Sequence, residues 1–166
     1  MPDKYHRAFG VYGIMQQQEK LIVIKKHGGP YTNRYDLPGG SLEDGEKLTD
    51  AIGREIQEET GLTTLEAVQL GITSFRYPWD YQNWHYNQHL CVFYQVKKWQ
   101  GELQETVNQF AGQDSLGATA MSLAQLTWDN SSLLVLKAKE FIQNNYQFNP
   151  ADQTFATWPV LTKSVY

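Results

Sequence analysis

Residues 53–62 read GREIQEETGL and place three glutamates, Glu55, Glu58 and Glu59, within five positions beside Arg54. The stretch continues a helical pattern from upstream. With Leu48 at zero and about 100° per residue, Ile52 and Ile56 fall at about 40° and 80°, and Ala51 at about 300°. Glu55 and Glu59 fall at about 340° and 20°, inside this apolar stripe, while Glu58 lies on its flank at about 280°. Gly61 stands where a left-handed cap ends a helix, so the pattern predicts a helix from about Lys47 to Thr60.

Three effects oppose carboxylates on a core-facing stripe. Like charges at i, i+3 and i+4 repel by roughly a few tenths of a kcal/mol per pair even when exposed. The last helical turn faces the negative end of the macrodipole. Partial burial magnifies both penalties. Arg54 offers one positive charge, and it precedes Glu58 in the less favourable i, i+4 order. A bound divalent cation resolves the conflict, and an all-oxygen cluster with no matching His or Cys set favours Mg²⁺ or Mn²⁺ over zinc. The plain alternative is a solvated acidic face, which the wheel position and the missing counter-charges disfavour.

Outward from the helix, residues 27–40 (HGGPYTNRYDLPGG) read as a loop by their glycines and prolines. His6–Met15 and Lys20–Lys26 read as strands around the polar turn QQQE, and Leu65–Phe75 and Gln88–Lys98 as two more. A weaker extended segment is expected near Gly117–Met121, and an amphipathic helix over Ser132–Tyr146. Strands punctuated by two helices indicate an α/β domain with a mixed sheet. The aromatic-rich tail, residues 147–166, has no assigned element.

With 166 residues, no repeats and no linker, one domain over residues 1–166 is expected. The composition, 41% hydrophobic and 19% charged, is that of an ordinary globular protein. A net charge of −4 argues against a nucleic-acid partner, though not against a small polyphosphate carried with a cation. Cys91 is alone in an apolar run, which points to a small buried side chain rather than a disulfide or a reactive thiol. MPDKYHRAF lacks a signal-peptide core, and no apolar run approaches the ~20 residues of a membrane span, so a cytoplasmic location without membrane partners is expected.

The loop and helix together, GSLEDGEKLTDAIGREIQEETGL at 40–62, resemble the Nudix box, G-x5-E-x7-R-E-U-x-E-E-x-G-U with U a bulky apolar residue. Gly40, Glu46, Arg54, Glu55, Ile56, Glu58, Glu59, Gly61 and Leu62 fill its fixed positions, and LPGG at 37–40 is the usual lead-in. The resemblance implies a Nudix-type α/β/α sandwich with a mixed sheet. It also implies a Mg²⁺- or Mn²⁺-dependent hydrolase of a nucleoside diphosphate linked to another group, such as a nucleotide-sugar. Glu55, Glu58 and Glu59 match the metal-binding glutamates, and the Gly39 carbonyl matches a backbone metal ligand seen in some relatives. Glu46 and Arg54 match a bracing pair. Glu58 is the candidate base within the box. Asp114 is the first choice for a base or extra ligand from a later loop, with Glu102 and Glu105 as alternatives. Lys47 departs mildly from the pattern, since relatives often have a better N-cap there.

For the substrate, Lys25, Lys26 and Arg34 are candidate phosphate contacts, with solvated surface cations as the alternative. Tyr77, Trp79, Tyr81 and Trp84 in RYPWDYQNWHYNQH, residues 76–89, are candidates to stack on a base. The same loop-like segment reads equally as a hairpin or a homodimer contact. Tyr31 and Tyr35 carry the same ambiguity. His85 and His89 share a strand face but lack a third zinc partner. Two other functions compete with the hydrolase. A ligand-sensing or regulatory module on the same fold is expected to lose box carboxylates or to carry a DNA-binding segment. An isomerase on that fold needs a catalytic cysteine, for which Cys91 is poorly placed.

Overall fold

Alternation along three strands decides the layers. The computed structural model describes residues 3–166. It contains β1 (Tyr5–Ile14), β2 (Gln16–Gln17), β3 (Lys20–Lys26), β4 (Tyr35–Asp36), β5 (Gly39–Gly40), α1 (Leu48–Thr60), β6 (Thr63–Tyr81), β7 (Trp84–Gln100), β8 (Ser115–Ser122), α2 (Leu133–Gln143) and β9 (Gln153–Thr154). Successive residues of β1, β3 and β7 point to opposite faces. Ile14, Leu21, Val23, Cys91 and Phe93 pack with Leu134, Ala138 and Phe141 of α2. Their neighbours Val11, Ile22, Ile24, Val92 and Tyr94 pack with Ala51, Ile52 and Ile56 of α1. A helix on each side of a mixed sheet is the expected α/β/α sandwich, and each fully buried aliphatic side chain contributes about 1.5–3 kcal/mol.

One sheet runs β5-β1-β7-β6-β9, with β1 parallel to β7 and β6 antiparallel to it. In the other, β3 pairs antiparallel with β2, β4 and β8. Lys47 stands at the N-cap of α1 without a side-chain cap bond, and the Gly61 cap at φ 78° donates its N–H to the Gln57 carbonyl. Ser132 caps α2 by accepting from the Val135 N–H. The loop at 27–40 contributes the short strands β4 and β5, which tie it to β3 and β1.

Residues 76–89 are strand rather than loop. β6 and β7 run on as one hairpin to a turn at Gln82 (φ 52°), with Tyr81 paired to Trp84. Pro78, Asp80 and Asn83 give the segment a loop-like composition. A register shift between Pro78 and Tyr81 accommodates the proline. The aromatics hold the tip together: Trp79 stacks on Tyr81 at 4.7 Å, and Tyr81 on Trp84 at 6.3 Å. No helix among the described residues is long and apolar enough to cross a membrane.

Candidate active site

The box glutamates sit where α1 meets the β1–β5 pairing. Glu59 points inward and is 2% exposed. The Gly39 N–H donates to its Oε1 at 3.1 Å, while its Oε2 is buried with no hydrogen-bond partner among the described residues. Burial pushes the Glu59 carboxyl well above the ordinary glutamate range, and neighbouring Glu55 adds to the shift. Burial also raises Glu55, against the lowering influence of Arg54.

Two glycines make this approach possible. At Gly39 (φ 150°) a β-carbon would overlap the Val11 carbonyl. At Gly40 it would stand 2.8 Å from Glu55 Oε1 and push that carboxylate aside.

Arg54 organises the rest. Its Nε and one terminal nitrogen donate to both oxygens of Glu46 at 2.8 and 2.9 Å. The other terminal nitrogen reaches Glu55 at 3.1 Å and Glu58 at 3.3 Å. That bidentate pairing, with a further bond from the Glu43 N–H, holds the Glu46 carboxyl down at about 2. Among the described residues no three His, Cys, Asp or Glu side chains gather as a ready-made metal cluster, and Glu55 and Glu58 converge on the guanidinium. The donor chemistry nonetheless fits a hard cation: oxygens only, with one buried carboxylate oxygen unsatisfied.

Arg54, Glu55, Glu58 and Glu59 line a cavity of about 240 Å³ with Gly39, Gly40, Ser41, Glu43 and the 110–114 loop. Asp114 stands on its rim, and its Oδ2 forms an ion pair with Lys26 at 3.1 Å. Burial alone lowers Lys26, but Asp36, Glu59 and Asp114 outweigh it and hold the ammonium above its ordinary range. Neither Glu102 nor Glu105 lines this cavity; the Glu105 carbonyl accepts from Lys25 Nζ at 3.3 Å. The sequence reading missed Gln113 and Ser115. Gln113 Nε2 donates to the Glu58 carbonyl and Ser115 Oγ to the Glu59 carbonyl, which fastens the later loop to the end of α1. Only the proximity of both residues to Asp114 signals this in the sequence.

A second cavity, about 150 Å³, shares Asp114 and is lined by His6, Tyr12, Lys26, Tyr31, Trp79 and His89 among others. Tyr12 Oη lies 2.7 Å from His89 Nε2, and Tyr31 Oη lies 3.2 Å from Nδ1. Burial depresses His89 to about 3, so the ring is neutral. His85 instead is exposed beside Asp80, so the two histidines share no site.

The expected substrate contacts divide. Trp79 lines this second cavity, and so does Lys26 rather than Lys25. Arg34 lines neither cavity. It is fully buried, donates to the Trp128, Ser131 and Pro159 carbonyls, and lies 4.3 Å over the Trp158 ring. Tyr35 packs on Tyr166, away from both cavities, and Tyr77 is a core residue that accepts from Asn87.

A family model described as the NUDIX domain matches residues 4–144. The ADP-ribose pyrophosphatase of Methanocaldococcus jannaschii is 41% identical over 69 residues, 42% of this chain and 41% of that protein, so the match spans about two fifths of the relative. The 8-oxo-dGTP diphosphatase of Proteus vulgaris is 30% identical over 107 residues, 61% of this chain and 84% of the relative. Among solved structures, a MutT protein from Bacillus halodurans aligns with a TM-score of 0.68 over 93% of this chain and 95% of its own, at 14% identity. A MutT NUDIX hydrolase from Burkholderia pseudomallei gives 0.65 over 81% and 97%, at 21% identity. At those identities the two structures show the shared fold. The family match runs through both core layers and the carboxylate helix, and the chain belongs to the NUDIX hydrolase family.

Proposed function

We propose that this protein is a divalent-metal-dependent diphosphohydrolase acting on a nucleoside diphosphate linked to a second group, a nucleotide or a nucleotide-sugar. The observation that carries the reading is Glu59: a buried carboxylate with one oxygen unsatisfied, beside the half-buried Glu55, is costly when ionised unless a cation completes it. Glu55, Glu58, Glu59 and the Gly39 carbonyl would hold Mg²⁺ or Mn²⁺. When bound, the ion neutralises diphosphate charge and makes water more acidic.

Glu46 fixes Arg54, which aims Glu55 and Glu58. Glu58, with its side chain 29% exposed, is the most open of the three box glutamates and the candidate base. It accepts a proton as the water oxygen bonds to phosphorus, the P–O–P bridge breaks, and the released phosphate takes the electron pair. Asp114 is the alternative base, with Lys26 beside it as a cation for phosphate oxygens. The aromatic cavity, with Tyr31 and Trp79, takes the nucleoside or the sugar.

The test is a substrate panel headed by ADP-ribose and 8-oxo-dGTP, assayed with Mg²⁺ or Mn²⁺ and with a chelator. Turnover is expected only with metal, and Glu58→Gln and Glu59→Gln are each expected to lose at least about a hundredfold in kcat. An intact protein that turns over nothing on the panel contradicts the enzyme; variants as active as the parent contradict the residue assignment.

A further inference from the structure

Residues 147–166 lie beyond the family match, yet they converge on the loop that walls the aromatic cavity. The segment first hooks onto β6. Thr73 Oγ1 donates to the Ala151 carbonyl at 2.9 Å, Ser74 Oγ to Asp152 at 2.6 Å, and β9 pairs with Phe75 and Arg76. It then crosses to residues 26–34. Trp158 Nε1 donates to the Pro30 carbonyl at 2.8 Å, and Arg34 to the Pro159 carbonyl at 2.8 Å. Asn33 Nδ2 donates to the Leu161 carbonyl at 2.7 Å, while the Val165 N–H returns to the Asn33 carbonyl at 3.0 Å. Tyr166 Oη closes the series on the Lys26 carbonyl at 2.7 Å. The Trp158 ring is buried edge-on against Tyr31 at 5.5 Å, with Tyr77 at 5.6 Å.

The loop so held has left-handed backbone at Gly28, Gly29 and Asn33. Its inner side presents Gly29, Pro30 and Tyr31 to the cavity, and Lys26 stands at its base. Apart from Trp158 against Tyr77, every contact of the 158–166 stretch named above falls on Lys26 or on this loop, and none on the box carboxylates.

We propose that residues 158–166 act as an intramolecular clamp that sets the shape of the aromatic cavity. Trp158 is the positioning residue, holding Pro30 and Tyr31 in place for the nucleoside or sugar end of the substrate. Fixing the loop in advance removes an ordering cost from binding, so the clamp acts on substrate affinity more than on the chemical step. The inference rests on the diphosphohydrolase reading for its substrate.

Steady-state kinetics on the best substrate of the panel, Mn²⁺ affinity, and hydrogen exchange at residues 28–34 test it together. Trp158→Ala is expected to raise KM about tenfold and kcat by less than its error, to leave Mn²⁺ affinity within about twofold, and to speed loop exchange at least about tenfold. Trp158→Phe is expected to recover part of the KM. If Trp158→Ala does not fold, Trp158→Phe combined with Tyr166→Phe decides, because it keeps an aromatic ring at each position while removing the bonds to Pro30 and Lys26. A KM raised at least about threefold supports the clamp. An active parent protein whose folded variants keep its KM, or lose kcat and Mn²⁺ affinity instead, overturns the clamp alone. A parent protein that turns over nothing overturns the underlying reading and the clamp's substrate role with it.

Discussion

At the scale of single residues, the burial of Glu59 and His89 has opposite chemical consequences. Burial favours the proton on Glu59, whereas it keeps the His89 ring neutral between two tyrosine hydroxyls. The position of Glu59 is legible in the sequence, because the helical wheel places it on the apolar stripe. That of His89 is not, since a histidine in a strand has no periodicity to distinguish a core network from a surface. Its depressed pKa, about 3 against an ordinary 6.5, sets a sign for acid stability. A base whose folded pKa lies below its unfolded value contributes stability that is complete above about 6.5 and is lost as pH falls toward 3. The raised Glu59 and Glu55 carboxyls act in the opposite direction in both proteins, so denaturant unfolding measured from pH 7 to pH 4 is expected to show His89→Gln gaining stability relative to the parent as pH falls. Parallel slopes in the two proteins would exclude His89 as a source of the acid sensitivity.

At the scale of elements, α1 is two structures in one: an apolar face that docks on the sheet and a carboxylate end that faces the cavity. Ala51, Ile52 and Ile56 are buried against Val11, Ile24 and Val92, and this docking fixes the rotation of the helix. Glu55 and Glu59 are consequently carried to Gly40 and Gly39. Ile56→Ala is expected to destabilise the protein by about 2–5 kcal/mol in chemical denaturation. A loss near zero would mean that the face is not packed as described. The helix and its Gly61 cap are legible in the sequence because period, breaker and cap agree. The tip of the β6–β7 hairpin is only half legible, as one of two evenly weighted readings. Its Pro, Asp and Asn speak for a loop, while the pairing that makes it a strand depends on a cross-strand neighbour more than on local composition. Arg34 is misleading for the same reason: a loop arginine looks like a phosphate contact until the tail that buries it is in place.

At the scale of the whole molecule, the sandwich brings an acidic cavity and an aromatic one together at Asp114 and Lys26, with α1, the 27–34 loop and the 110–114 loop as their walls. The carboxylate side of the acidic cavity comes from one contiguous stretch, residues 39–59, which is why a short motif anticipates it, whereas the 110–114 loop that completes the cavity is distant in sequence. The aromatic cavity draws on β1, β3, β6, β7 and the 27–34 loop, so no local pattern reveals it. The proposed chemistry depends throughout on the carboxylates at the end of α1 forming a metal site. Direct titration with Mn²⁺, followed by electron paramagnetic resonance, tests that claim without reference to any substrate. The intact protein is expected to bind Mn²⁺ saturably, and Glu59→Gln to bind it at least about tenfold more weakly. No saturable binding by the intact protein, or equal affinity in the two, would contradict it.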